Sequence, residues 1–164
     1  MYLSTKTLGN DRGLSCVFRQ WRADSHCHDW HGYALGFRFV FAAKELDERN
    51  WVVDFGPGGF GKIKDWLTHM FDHTFLVAED DPHIEAIKTL PNAEVRIVPA
   101  AGCEATAKLA FDFAQAHIHE ATNGRCWVES VECFEHGSNS AIYRNPLAAR
   151  NEATATDVVR ASLA

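Results

Sequence analysis

No stretch of about 18 consecutive apolar residues occurs in this 164-residue chain, so nothing in it reads as a membrane-spanning helix. Met1 to Arg12 contains no basic segment followed by an apolar one, which argues against export and for a cytoplasmic protein. A basic stripe is missing too. The formal charge is −6, which disfavours nucleic acid as a direct partner. The five cysteines, at 16, 27, 103, 126 and 133, are odd in number and include no CxxC pair. That usage suits free thiols in a reducing compartment better than a disulfide framework. There is no P-loop, no internal repeat and no linker. What remains is ordinary globular composition, 46% hydrophobic and 23% charged, at a length that suits one domain with a proper core.

Alternation of period two predicts a strand over 14–21, where Leu14, Cys16, Phe18 and Gln20 share a face. A second and stronger strand places Tyr33, Leu35, Phe37, Phe39 and Phe41 on one side. Trp51 to Phe55 is expected to return as its hairpin partner. Gly56-Pro57-Gly58-Gly59 breaks the chain. A helix follows from near Phe60, with Ile63, Trp66, Leu67, Met70 and Phe71 at helical spacing, ending near Asp72-His73. Residues 84–90 suggest a short helix and 95–98 a short strand. A long helix over 105–121 carries the stripe Ala107, Ala110, Phe111, Ala114 and Ile118, and Asn123-Gly124 closes it. Strands are expected at 126–135 and 140–144. The order implies an α+β domain, an antiparallel sheet with two helices on one face. Such a sheet leaves long edges, which argues for assembly into an oligomer. Residues 1–13 read as an N-terminal extension, 14–150 as the domain and 151–164 as a tail.

Three sites carry chemistry. Between the first two strands, His26, Cys27, His28 and His31 gather three imidazoles and a thiol within six residues. Imidazole and thiolate suit a borderline-soft divalent metal, and Cys27 is the best nucleophile or base candidate in the chain. Asp72-His73, at a helix C-terminus, is either a proton-transfer couple or simply a favourable helix end. Glu135 ends a strand on the side of Val131 and Cys133. It is either a pocket-rim carboxylate able to pair with two parallel N–H donors of a guanidine-like heterocycle edge or a solvated side chain.

Taken together, Cys27-x3-His31-Gly32, Tyr33-x-Leu35-x-Phe37, Trp51-Val52-Val53-Asp54-Phe55, Asp72-His73, Cys103-Glu104 and Glu135-x5-Ala141-Ile142-Tyr143-Arg144 resemble the 6-pyruvoyl-tetrahydropterin synthase / 6-carboxy-tetrahydropterin synthase family. The resemblance spans roughly residues 14–144. It implies the tetrahydrobiopterin-biosynthesis fold, or T-fold, whose subunits join their sheets into a barrel as a trimer or a dimer of trimers. It implies action on 7,8-dihydroneopterin triphosphate. Cys27 then matches the catalytic thiol, Asp72 and His73 the proton-transferring pair, and Glu135, with Phe55, the substrate contacts. A zinc ion is implied as cofactor.

The pattern departs from the family where the metal should bind. The usual His-Gly-His reads His31-Gly32-Tyr33 here, and the first strand carries no His. A catalytic zinc takes about three protein ligands, so His26, His28 and His31 are the expected replacement set, with Cys16, Gln20 and Tyr33 as weaker candidates. The leading expectation is a 6-carboxy-tetrahydropterin synthase serving queuosine synthesis. The alternatives are the pyruvoyl-forming relative and a non-catalytic pterin-, purine- or metal-binding homologue.

Overall fold

A computed structural model of the protein describes residues 1–147, so the tail expected from 151 lies outside the described residues. Strands β1 (Tyr2–Leu8), β2 (Leu14–Phe18) and β3 (His31–Ala43) come first, followed by helix α1 (Lys62–Phe71) and strand β4 (Thr74–Ala78). Helix α2 (Ile84–Lys88), strand β5 (Val95–Val98), helix α3 (Cys103–Ala121) and strands β6 (Cys126–His136) and β7 (Asn139–Arg144) complete them. The sheet runs β5-β4-β2-β3-β6-β7, with β1 also on β3. β1 and β2 lie end to end along one edge of β3, pairing Leu8 with Phe37 and Leu14 with Leu35. The segment expected as an N-terminal extension is therefore part of the sheet.

Two expectations need correcting. Trp51 to Phe55 is not a strand, because both edges of β3 are already occupied, by β1 and β2 on one side and β6 on the other. The segment is instead strapped down by Arg125, whose guanidinium donates to the carbonyls of Glu45, Trp51 and Val52 at 3.0, 3.4 and 3.0 Å. The sheet is also mixed rather than wholly antiparallel. β4, a short apolar run that periodicity alone did not reveal, pairs in parallel with both β2 and β5.

The inward face of β3 builds the core. Phe37, Phe39 and Phe41 are fully buried and their rings follow one another at 6.3 and 6.0 Å. Phe71 of α1 lies 5.3 Å from Phe37, and Phe60, just ahead of α1, lies 5.3 Å from Phe39. Each such burial is worth about 2–3 kcal/mol. The expected stripe of α3 is buried throughout, and Trp66 of α1 stacks on Phe113 of α3 at 4.4 Å. The two helices thus form one layer over one face of the sheet. Among the described residues, no helix is long and apolar enough to cross a membrane.

The turn into α1 depends on one glycine. Gly59 has φ −108 and ψ −109, and a Cβ there would lie 2.0 Å from the carbonyl oxygen of Asp54. That carbonyl already accepts the Phe60 N–H at 2.9 Å, so it is not free to move. Gly59→Ala should cost about 3 kcal/mol or more in urea unfolding. Gly58→Ala, with nothing within 4 Å, should be nearly neutral. Equal costs would show that the backbone here is not constrained.

Candidate active site

A pocket of about 320 Å³ opens where the loop after β2, the start of α3 and the β6–β7 turn meet. That volume lies at the small end of the range typical of ligand sites, about 300–1,000 Å³. Cys27 and Glu135 both line it, together with Gln20, Cys103, Glu104 and Ser138. Cys27 sits in the single 3₁₀ turn His26–His28, where its N–H faces the Ser25 hydroxyl at 3.4 Å and its carbonyl accepts the Gln20 N–H at 2.8 Å. It is the one cysteine that is not buried. The thiols around it are inert by comparison. Burial pushes Cys16 up to about 12, and Cys133 is raised by its neighbour Cys103 and by burial.

Glu135 reaches the pocket through two irregularities in β6. Val128 pairs with Phe41 and Ser130 with Val40, so Glu129 is an extra residue without a partner on β3. Cys126 and Val128 are buried before this bulge, Val131 and Cys133 after it, and the phase of the strand changes by one. Glu135 then falls on the inward side. Against β7, Phe134 pairs with Ser140 and His136 with Asn139, leaving Glu135 itself unpaired at the turn. Its carbonyl accepts from the Asn10 side-chain amide at 3.2 Å, and the same amide reaches the carbonyls of Ala34 and Phe134. Asn10 therefore ties the β1–β2 turn to the strand ends that carry Glu135.

The pocket floor adds donors. Gly102 precedes α3 with φ 109 and no side-chain cap, so the leading N–H groups of a 19-residue helix sit at Cys103 and Glu104 without a side-chain partner. A Cβ on Gly102 would meet the Gln20 amide nitrogen at 2.3 Å, so glycine here makes room for that side chain. Cys103 and Glu104 belong to the family-like motifs, but no role for them was foreseen. Gln20 was considered only as a metal ligand.

Asp72 and His73 are paired with each other, Asp72 Oδ1 to His73 Nδ1 at 2.6 Å, but they do not line this pocket within one chain. The His73 side chain is 86% exposed. His73 has φ 57, while the other described non-glycine residues with positive φ are all asparagines, Asn50, Asn92 and Asn123. Its N–H donates to the Ser15 carbonyl at 2.7 Å, which holds the strained turn in place. Phe55 is also elsewhere. It lines a separate groove of about 690 Å³ with Tyr2, Leu3 and Trp51, and the Lys6 ammonium stands 5.2 Å from its ring centre.

The histidines expected to bind zinc do not form a ligand set. Among the described residues, no group of three or more His, Cys, Asp or Glu is arranged to hold a metal ion. The reason is local. His28 Nδ1 is bound to the Trp21 carbonyl at 2.7 Å and His31 Nδ1 to the Asp29 carbonyl at 2.8 Å, which turns each ring to its own stretch of loop. His26 is exposed on the same short turn as His28. His31 alone enters the sheet, where its ring meets Phe18 edge-on at 4.9 Å. The residues present do not fit the zinc that the resemblance implies. Arg19 and Arg22, on the loop after β2, are paired with carboxylates. Arg19 grips buried Asp81 through two hydrogen bonds at 2.9 and 2.8 Å, and Arg22 meets Asp80 at 2.6 Å.

A mixed sheet lies under one helical layer, with a thiol and a carboxylate sharing a pocket at the strand ends, and the architecture is that of a T-fold domain. The family model described as 6-pyruvoyl tetrahydropterin synthase matches residues 8–146, and the chain belongs to that family, lyases acting on a pterin triphosphate. An uncharacterized protein from Wolinella succinogenes is similar in structure, with a TM-score of 0.73 and 17% identity over 88% of this chain and 98% of the other. The 6-pyruvoyl tetrahydropterin synthase of Plasmodium falciparum aligns with a TM-score of 0.63 and 11% identity, over 87% of this chain and 98% of its own. That of Caenorhabditis elegans gives 0.55 and 14%, over 88% and 94%. At these identities the likenesses establish the fold. No curated protein matches the chain.

Proposed function

We propose that this chain is a 6-carboxy-tetrahydropterin synthase, converting 7,8-dihydroneopterin triphosphate to 6-carboxy-tetrahydropterin with release of acetaldehyde and triphosphate, in the 7-deazaguanine (queuosine) route. The observation that carries this reading is that Cys27 and Glu135, 108 positions apart in sequence, line one pocket. Glu135, beside the free N–H groups of α3, accepts from the amino-pyrimidine edge of the pterin, while the thiolate of Cys27 moves a proton at the side-chain carbons. The Asp72–His73 pair is the second proton carrier. With its ring exposed to solvent, it serves the pocket of an adjoining copy in a homo-oligomer. Exposed Tyr2 and Leu3 on β1 and Ile142 on β7, strands that pair on one side only among the described residues, support such assembly.

The pyruvoyl-forming reaction is the second reading, favoured by the likeness to the 6-pyruvoyl tetrahydropterin synthases of Plasmodium falciparum and Caenorhabditis elegans. Incubation with dihydroneopterin triphosphate separates the two. Acetaldehyde in step with triphosphate supports the first; triphosphate alone supports the second. Neither product, with pterin still bound, would leave a binding protein. Glu135→Gln should weaken pterin binding by about 10- to 100-fold, the loss of a charge-assisted hydrogen bond of about 1.5–3 kcal/mol, read by fluorescence titration. Unchanged affinity would remove Glu135 from the site.

A further inference from the structure

Four of the five cysteines, scattered in sequence, converge at one end of the fold. Cys27 and Cys103 line the same pocket of about 320 Å³. Cys103, the first residue of α3, has Cys133 of β6 as its neighbour, and Cys16 of β2 is near enough to feel it. Cys126, buried opposite Ala43 at the other end of β6, stands outside the group. The reaction proposed above uses Cys27 alone and leaves the other three without a task. Cys16, Cys103 and Cys133 are 3%, 9% and 0% exposed, so a small oxidant from solvent meets the group at Cys27.

The two pocket thiols differ in how firmly they are held. No residue of the turn His26–His28 is buried, so Cys27 can shift without opening the core. Cys103 cannot, because it opens a 19-residue helix whose apolar stripe is packed against the sheet. An accessible thiol on a compliant turn therefore shares a pocket with a fixed thiol on its wall. A disulfide holds its two Cα atoms about 4.4–6.8 Å apart, so a bond between these two fixes the turn against the start of α3. Cys133 is the less suitable partner for Cys27, since it lies in the middle of the sheet, paired with Phe37 on β3 and Ala141 on β7.

We propose that Cys27 and Cys103 are a redox pair, joined by a hydroperoxide into a reversible disulfide that crosses the pocket and takes Cys27 out of use. The Cys27 sulfur attacks the peroxide O–O bond, giving a sulfenic acid and releasing water from hydrogen peroxide. The Cys103 sulfur then displaces the sulfenic oxygen, which leaves as a second water with the remaining thiol proton. Two thiols lose two electrons and two protons, and one peroxide is reduced to two waters. A dithiol reverses the step by exchange through a mixed disulfide. Cys103 thereby also protects Cys27, because a sulfenic acid without a nearby thiol is oxidised further to acids that dithiols do not reduce.

The test treats the reduced full-length protein with hydrogen peroxide, removes the excess with catalase and blocks the remaining thiols with N-ethylmaleimide in denaturant. A non-reducing peptide map should show Cys27 linked to Cys103 within one chain, with two of the five thiols lost and both regained in dithiothreitol. Cys133→Ala should keep the link. Cys103→Ser should abolish it and leave Cys27 as sulfinic acid, which dithiothreitol does not restore. Cys27 oxidised to sulfinic acid in the wild-type protein, or linked to any other cysteine, overturns the pair. Oxidised protein should also lose affinity for pterin about tenfold or more in fluorescence titration, because the bond crosses the ligand space. Full affinity with the disulfide in place overturns the closing of the pocket. A reduced protein that binds no pterin would strike the proposed function instead, and the peptide map would still decide the thiol pair.

Discussion

Cys27→Ala should lower turnover of dihydroneopterin triphosphate by about 10²- to 10⁴-fold, the usual range for a positioned proton-transfer group. Its unfolding midpoint should move by no more than the few degrees that correspond to about 1 kcal/mol. The separation of the two effects follows from the surroundings of this thiol. Cys27 lies on a short turn held by backbone contacts to Ser25 and Gln20, and its side chain supports no core packing. The other four thiols are buried, and burial holds Cys126 near 11 and Cys16 near 12, while Cys103 beside it and burial raise Cys133. Iodoacetamide at pH 8 should accordingly label the folded protein at Cys27 and abolish turnover in proportion. A Cys27→Ala enzyme with full activity would take the thiol out of the mechanism.

Asp81→Ala has the opposite profile, with about 2–3 kcal/mol lost from the fold, because the half-buried Arg19 guanidinium loses two charge-assisted hydrogen bonds. The Arg19 and Asp81 side chains are 10% and 2% exposed, and Asp81 also accepts the His83 N–H at 2.8 Å. The hydrogen bonds from Arg19 hold the Asp81 carboxyl below its ordinary range. With the folded value depressed, the stabilisation is complete above the unfolded carboxyl value of about 3.9 and disappears as pH falls through the lower folded one. Urea midpoints measured from pH 7 down to pH 2 should therefore decline less steeply in Asp81→Asn than in wild type. Because Arg19 also lies 5.0 Å from the Trp30 ring, the pair anchors both ends of the loop that carries Cys27. Turnover should fall with stability in Asp81→Ala. A midpoint unchanged by the substitution would show that the ion pair contributes nothing.

Much of the fold was legible because its strongest elements advertise themselves. Leu35, Phe37, Phe39 and Phe41 alternate cleanly and are all buried, and the α3 stripe repeats at helical spacing. Asn123 and Gly124 both adopt the left-handed conformation expected of a helix end. β1 and β4 were missed for different reasons. Tyr2–Leu8 alternates weakly and mostly with exposed side chains, while Thr74–Ala78 is a short apolar run whose period says nothing about parallel pairing. Trp51 to Phe55 looked like a strand because side-chain types do not reveal which sheet edges are vacant. In the candidate site, motif spacing named Cys27 and Glu135, which line one pocket. The expected zinc set does not assemble, since three histidines close in sequence say little about where each ring turns. That direction came from the carbonyls of Trp21 and Asp29, which no composition argument reaches.

The extra residue at Glu129 has a bearing on how this protein can change. Beyond it, the two sides of the ribbon exchange places, so chain length within β6, rather than the chemistry of any one position, decides which side chains look into the ligand cavity. Losing a single amino acid there would turn the Glu135 carboxylate away and present Phe134 and His136 in its stead. A change of one in the length of β6 therefore substitutes a different recognition surface in a single step.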